Sequence, residues 1–109
     1  MIDPKKHGRF EEIIHALAAQ FVLTESAGDG LITITKVEAA GKGDTAKIFV
    51  SVFPEESEEK ALGFLKRKRS EFREFVGDHS KLFRIPFFDF EIDKGEKNRQ
   101  RVEEASKNN

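Results

Sequence analysis

The sequence predicts a single α+β domain in which a three-stranded sheet carries helices on one face. Three observations support this prediction. Apolar residues recur at helical spacing near the start of the chain, two β-branched runs follow with a glycine-containing connection between them, and an alternating run lies near the end. The chain of 109 residues is long enough for one domain with one modest core.

The first half of the chain predicts a helix followed by two strands. Apolar residues spaced three and four apart indicate the helix, and they are Phe10, Ile13, Ile14, Leu17, Ala18 and Phe21. The run LITITKV, residues 31–37, is rich in β-branched residues and predicts the first strand. The run AKIFVSVF, residues 46–53, alternates, so its core-facing residues are Ala46, Ile48, Val50 and Val52. Two glycines between the runs favour a hairpin-like connection.

A second helical region, from about Glu58 to Leu82, has a gap in its apolar stripe. Its apolar residues are Leu62, Leu65, Phe72, Phe75 and Val76. Counting from Leu65, the next core position falls on Lys68 or Arg69, which are basic. Two explanations stay open at this point. The chain either breaks into two helices here, or Arg69 lies along the core edge and extends its guanidinium into water.

The end of the chain predicts one more strand and a tail. The segment RIPFFDFEID, residues 84–93, alternates, with Phe88, Phe90 and Ile92 on its inner face. Residues 94–109 contain one large apolar residue, Val102, and are predicted to be a mobile tail. Residues 1–8 are predicted to be a flexible arm, which leaves residues 9–93 as the folded domain.

The composition excludes several classes of protein. The net charge is −1 at pH 7, which excludes a uniformly basic nucleic-acid binder. The absence of cysteine excludes disulfides and thiolate metal sites. The first residues lack the apolar stretch of a signal peptide, and no run approaches the length of a transmembrane helix. We therefore expect a soluble, cytoplasmic protein.

The charge is unevenly distributed along the chain. Residues 66–84 contain seven basic and three acidic residues, a net charge of +4. The seven basic residues are Lys66, Arg67, Lys68, Arg69, Arg73, Lys81 and Arg84. Clustered cations bind phosphate with release of counterions, so this segment is a candidate RNA-binding site; the alternative is a solvated helix face. A smaller basic group consists of Lys5, Lys6 and Arg9, for which a solubilising arm is the alternative.

Several motifs resemble those of the ribosome-binding factor A family. ITITKV followed by AKIFVSV resembles the family's paired strands, with the patterns V/I-T-I-x-x-V and A-K-V-Y-V-S-V. ALGFLKRKRSEFREFVG resembles its paired-helix region, and GRFEEIIHALAAQF stands where the family has its first helix. PFFDFEID resembles the pattern P-x-L-x-F-x-x-D, with Pro86, Phe90 and Asp93 at the fixed positions and Phe88 in place of Leu. Together these motifs span nearly the whole chain.

The resemblance implies both a fold and a function. The implied fold is a type II KH-like domain with the order helix-strand-strand-helix-helix-strand. The implied function is a non-catalytic factor that binds the small (30S) ribosomal subunit and its 16S rRNA and assists late rRNA maturation, notably at low temperature. A monomer without a cofactor or small-molecule substrate is the default expectation.

Two segments depart from the family pattern. Arg69-Ser70-Glu71 stands where the family has an A-x-G kink between its paired helices. The stretch ESAGDG stands where the family has D-P-R-x-G before the first strand. Contacts that depend on those segments are therefore not expected to carry over, and the geometry of the helix junction stays open.

A protein-interaction domain is the alternative function. The second and third strands place Phe49, Phe53 and Phe87 on the face opposite the core, beside Asp89, Glu91 and Asp93. Aromatic residues on a sheet can stack on RNA bases, but the carboxylates beside them would repel phosphate. Packing across strands, or a protein-facing surface, is therefore favoured. No catalytic set, metal-ligand spacing or phosphate-binding loop is identified in the sequence.

Overall fold

The computed structural model describes residues 4–25 and 30–95, with side chains from residue 9 to 24 and from 30 to 95. Its helices are α1 (Pro4–Glu25), α2 (Glu58–Arg67) and α3 (Arg69–His79), and its strands are β1 (Leu31–Ala40), β2 (Thr45–Phe53) and β3 (Phe87–Ile92). A single 3₁₀ turn, Glu55–Ser57, precedes α2. The predicted order of helix, strand, strand, helix, helix, strand is confirmed. No helix in this part of the chain is long and apolar enough to cross a membrane.

The sheet is mixed, with strand order β1-β2-β3. Strands β1 and β2 pair antiparallel through a short turn, whereas β2 and β3 pair parallel. A parallel pair needs a crossover connection, and α2 and α3 supply it. Strand β3 is therefore an edge strand that lies next to both helices of the crossover.

The core lies between the three helices and one face of the sheet. The residues with no exposed surface include Ile14, Ile48, Phe72 and Phe90. Phe72 of α3 is the centre of an aromatic group, since its ring centroid lies 4.8–5.8 Å from those of Phe88, Phe21 and Phe90. The core positions predicted on the three helices and on β2 and β3 are confirmed as buried, except that Phe10, Ile13, Leu62, Phe75 and Ile92 are only partly buried against the core.

A β-bulge in β1 changes which of its residues face inward. The register with β2 shifts between Ile34 and Lys36, so Thr35 is the extra residue. Without the bulge, a period of two from Ile34 would turn Lys36 toward the core and Val37 toward solvent. With it, Val37 is buried and Lys36 is exposed.

Helix α1 begins earlier and strand β3 begins later than the sequence predicts. Helix α1 begins at Pro4, so it includes part of the stretch 1–8 that was predicted as an arm, and residues 1–3 lie outside the described residues. Strand β3 begins at Phe87, where the Phe87 N–H donates to the Asp44 carbonyl at 2.9 Å, because Pro86 before it has no N–H to donate. The predicted tail lies outside the described residues from position 96 onward.

Candidate nucleic-acid interface

The basic run Lys66-Arg67-Lys68-Arg69 forms the junction between α2 and α3. Lys68 separates the helices with φ −96° and ψ 8°, outside the helical region. Its N–H donates to the Leu65 carbonyl at 3.0 Å, and its own carbonyl accepts the Phe72 N–H at 2.9 Å, which starts α3. The chain thus breaks into two helices without a small residue at the turn. Of the two explanations for the gap in the apolar stripe, the break into two helices is therefore the correct one.

Two junction cations bind a carboxylate on the edge strand. Lys66 Nζ lies 3.0 Å and Arg69 Nη1 lies 3.2 Å from Oδ1 of Asp89. The same oxygen accepts the Phe90 N–H at 2.9 Å. Arg69 Nε also donates to the Lys66 carbonyl at 2.9 Å, which satisfies an acceptor at the end of α2. The junction is therefore tied to β3 through one side chain.

The pKa of Asp89 reflects this environment. Partial burial acts to raise the pKa, but the hydrogen bonds from the Lys66 side chain and the Phe90 N–H, together with the charges of Lys66 and Arg69, outweigh it. The result is a pKa below the ordinary value of 3.8. Asp89 is thus ionised at neutral pH and neutralises part of the positive charge at the junction.

Lys68 and Arg73 also have partners within the chain. Lys68 Nζ lies 3.2 Å from a carboxylate oxygen of Glu71, one turn along α3. Arg73 donates from Nε to the Pro86 carbonyl at 3.2 Å and from Nη2 to the Ile85 carbonyl at 2.9 Å. Its guanidinium carbon lies 4.4 Å from the centre of the Phe87 ring. Arg73 therefore positions the segment that leads into β3.

Three predicted RNA-binding residues point into solvent. Arg67, Lys81 and Arg84 are exposed, and within residues 9–24 and 30–95 the structure gives none of them a hydrogen-bond or ion-pair partner. Lys81 and Arg84 flank Phe83, whose side chain is fully exposed. Arg9 is exposed on α1, whereas the side chains of Lys5 and Lys6 lie outside the described residues.

An open groove lies between α3 and the start of β3. It has a volume of about 1070 Å³ and contains Arg69, Arg73 and Phe87 together with the acidic side chains of Glu71, Glu74 and Asp78. The fold thus brings Arg69 and Arg73 to one groove, while Arg67 lies on the neighbouring end of α2. The mixed charge of the lining makes the groove itself less positive than the basic run suggests.

The outer face of the sheet is not a bare acidic surface. Glu91 pairs with Lys47 of β2 at 3.2 Å, and Asp93 accepts a hydrogen bond from the hydroxyl of the bulged residue Thr35 at 2.6 Å. Phe49 lies under Lys36, whose Nζ is 4.6 Å from the ring centre. The three β3 carboxylates expected to repel phosphate are therefore each engaged within the chain.

Sequence reasoning did not identify Asp89 as a partner of the junction. The alternation of β3 places it outside the core, but its distance from α2 depends on how the crossover packs against the edge strand. Within the described residues there is no group of three or more His, Asp or Glu side chains that could hold a metal ion.

Comparison with known proteins identifies the family. The model of the ribosome-binding factor A family matches residues 6–106. The chain belongs to this family. A curated ribosome-binding factor A from Brevibacillus brevis is 40% identical over 65 residues, which is 59% of this chain and 54% of the relative. The alignment thus spans about half the length of that relative.

Solved structures show that the fold is the ribosome-binding factor A fold. The crystal structure of ribosome-binding factor A from Thermus thermophilus is similar with a TM-score of 0.71 and 21% identity, covering 79% of this chain and 94% of that chain. A homology model of the Thermus thermophilus protein, fitted into a cryo-EM map of a 30S–RbfA complex, gives a TM-score of 0.63 at 18% identity, covering 79% and 89%. The type II KH-like arrangement is consistent with both.

The ribosome-binding factor A motif on β3 has a physical explanation in this chain. Pro86 is buried, and its carbonyl accepts a hydrogen bond from Arg73. Phe90 has no exposed surface. Asp93 directly follows the strand, where its N–H donates to the Val50 carbonyl at 2.8 Å and its carboxylate accepts from the Thr35 hydroxyl. The motif therefore fixes the edge strand that anchors the helix junction.

Proposed function

We propose that this protein binds the small ribosomal subunit, contacts its 16S rRNA and assists late maturation of that RNA in the cytoplasm. Membership of the ribosome-binding factor A family supports the proposal. The fitting of a structural relative into a 30S–RbfA complex map supports it for that relative. The proposed mechanism is occupancy rather than chemistry: the protein holds a conformation of the RNA and leaves when maturation is complete.

The observation that carries this proposal is the segregation of charge. Residues 66–84 have a net charge of +4 in a chain whose total is −1. RNA phosphates are bound with release of counterions, which supplies most of the sequence-independent affinity. A local cationic segment at a helix junction, on the edge of the sheet, therefore favours contact with an RNA backbone over contact with an apolar protein surface.

The cations of this segment are proposed to act in two ways. Arg67, Lys81 and Arg84 have no partner among the described side chains, so they bind phosphate without giving up an interaction. Lys66, Lys68, Arg69 and Arg73 have internal partners and contribute both to the junction and to its electric field. Lys5, Lys6 and Arg9 are proposed as a secondary basic group at the start of α1.

A charge-reversal experiment tests the proposal. The double variant Arg67→Glu with Arg84→Glu is compared with a control double variant, Lys42→Glu with Lys94→Glu, which changes the net charge equally at two other exposed sites. We expect the first variant to lose more than about tenfold in affinity for isolated small subunits at moderate salt, because phosphate contacts depend steeply on charge. The control is expected to lose much less.

Co-sedimentation with small subunits at several salt concentrations is the measurement. The wild-type protein is expected to dissociate steeply as salt rises. Equal losses in both double variants would contradict the assigned site. Binding that does not vary with salt, and that is lost on Phe49→Ala or Phe87→Ala, would instead favour a protein-interaction surface on the outer face of the sheet.

A further inference from the structure

Lys66 and Arg69 converge on a single anionic oxygen. Their donor atoms lie 3.0 Å and 3.2 Å from Oδ1 of Asp89, and the Phe90 N–H completes the set at 2.9 Å. Charge-assisted donors converging on one oxygen are also what a non-bridging phosphate oxygen requires. The carboxylate of Asp89 thus occupies a position that suits an RNA phosphate.

The two cations are accessible to a ligand from solution. The side chains of Lys66 and Arg69 are 40% and 48% exposed, and that of Asp89 is 37% exposed. Ion pairs at this level of exposure contribute little net free energy, because water screens the charges and the side chains lose conformational freedom. Replacing the carboxylate by a phosphate therefore costs little free energy.

Arg69 has a second anchor that does not involve the carboxylate. Its Nε donates to the Lys66 carbonyl at 2.9 Å, independently of Asp89. The guanidinium is thus held at the junction by the backbone, and only its contact through Nη1 changes partner. A positioned cation loses less conformational freedom on binding an anion than a free one does.

We propose that Asp89 competes within the chain for an RNA phosphate-binding site formed by Lys66 and Arg69. In the free protein the carboxylate occupies the site, and in the complex a phosphodiester of the RNA replaces it. This inference rests on the proposed function and adds a regulated contact to it. RNA that also engages Arg67, Lys81 or Arg84 displaces the carboxylate, whereas a weakly held anion does not.

The substitution Asp89→Asn tests this competition. Asn keeps the size of the side chain and one hydrogen-bond acceptor but removes the charge that holds the two cations. Asp78→Asn is the matched control, because Asp78 is exposed on α3 and its substitution changes the net charge equally. The measurement is fluorescence anisotropy with a labelled 12-nucleotide oligouridylate at several salt concentrations.

We expect Asp89→Asn to bind this RNA roughly three to ten times more tightly than the wild type, as release of two surface ion pairs allows. We also expect the RNA affinity of this variant to fall more steeply with salt, with a slope larger by the amount that about one further phosphate contact contributes. Asp78→Asn is expected to change the affinity by less than about twofold. Equal affinities and salt slopes for the two variants would overturn the competition while leaving the proposed function intact.

A second substitution tests whether the gain in RNA affinity comes from Lys66. Lys66→Gln is expected to weaken RNA binding more in the Asp89→Asn background than in the wild type, because in the wild type Lys66 must first give up its ion pair with Asp89, which offsets part of its phosphate contact. Equal losses in both backgrounds would overturn the inference. If neither the wild type nor Asp89→Asn bound the oligouridylate at low salt, the proposed RNA contact itself would fail.

The unaltered protein provides a test that does not depend on the stability of a variant. In an NMR titration with the same oligouridylate, the Phe90 amide is expected to shift together with Lys66 and Arg69, because it donates to the Asp89 oxygen that leaves. Shifts at Arg67 and Arg84 with an unmoved Phe90 amide would show that RNA binds without displacing Asp89.

Discussion

The two faces of the sheet use phenylalanine in different ways. On the inner face, Phe72 packs edge-on against Phe21, Phe88 and Phe90, and none of these rings is appreciably exposed. On the outer face, Phe49 lies under the ammonium of Lys36, and Phe87 lies beside the guanidinium of Arg73. The inner rings thus pack against other rings, whereas Phe49 and Phe87 on the outer face contact cations.

The inner rings contribute mainly to the stability of the fold, and the outer rings mainly to the chemistry of the surface. Inner rings stabilise the fold because they remove apolar area from water. Outer rings orient charged side chains, each with a small free energy. The inner face should therefore decide whether the chain folds, and the outer face together with the adjacent junction should decide what the folded chain presents to a partner.

The largest expected effect comes from truncating the centre of the inner face. Phe72→Ala should lower the free energy of unfolding by about 3–5 kcal/mol, because it removes a fully buried ring and leaves a cavity between α3 and the sheet. This loss in the free energy of unfolding is measured by urea denaturation monitored by circular dichroism. Phe83→Ala is the control, since that ring is fully exposed and its loss should change stability by less than about 0.5 kcal/mol.

Arg73 of α3, which contacts the outer-face ring of Phe87, tests whether a cation contributes through its shape as well as its charge. Arg73→Ala should cost about 1–2 kcal/mol, because two hydrogen bonds to the Ile85 and Pro86 carbonyls are lost. Arg73→Lys should recover little of this, since an ammonium cannot reach both carbonyls as the guanidinium fork does. Full recovery of stability by lysine would show that charge alone matters at this position.

Asp89 should make a smaller, pH-dependent contribution. Its pKa is lowered on folding, so its ionised form stabilises the protein above the ordinary pKa of 3.8, and this contribution is lost as the pH falls through the folded-state value. Because the pair is well exposed, Asp89→Asn should cost at most about 1 kcal/mol at pH 7. Urea unfolding of both proteins at pH 7 and pH 2.5 measures the difference, which should shrink at the lower pH. A difference that grew on acidification would contradict the assigned interactions.

The smallest expected effect concerns Phe49 and Lys36. Phe49→Leu keeps most of the apolar packing but removes the ring under the ammonium, so it should cost about 0.5–1 kcal/mol. A double-mutant cycle with Lys36→Gln isolates the interaction between the two side chains. A coupling energy near zero would mean that this part of the outer face is held by strand packing alone.

Much of the fold could be predicted because local patterns determine it. The alternation of Ala46, Ile48, Val50 and Val52 specified the inner face of β2, and all four residues are buried. The helical spacing of Ile14, Leu17 and Phe21 likewise specified the buried face of α1. The gap after Leu65 located the irregularity in the helical region, and the structure then showed that it is a helix break at Lys68. These features depend on residues close together in sequence.

The arrangement of the candidate site could be predicted less well. The sequence identifies the basic run but not which of its members have partners. Lys66 and Arg69 bind a residue that lies 23 and 20 positions away from them, whereas Arg67 between them faces solvent. The bulge at Thr35 was missed for a similar reason, since it depends on the register of β1 against β2 and on the position of Asp93.

By itself the sequence determined the order of the strands and helical regions, the buried faces of α1, β2 and β3, and the location of the positive charge. Periodicity records these properties directly, because burial repeats every 3.6 residues in a helix and every two in a strand. Only the tertiary structure decided which of the positive side chains have partners within the chain and which face solvent. Crossover packing brings Asp89 to the α2–α3 junction, and this contact separates the cations that are anchored to β3 from Arg67, which faces solvent. A contact between elements distant in sequence leaves no periodic signal, so only the folded chain reveals it.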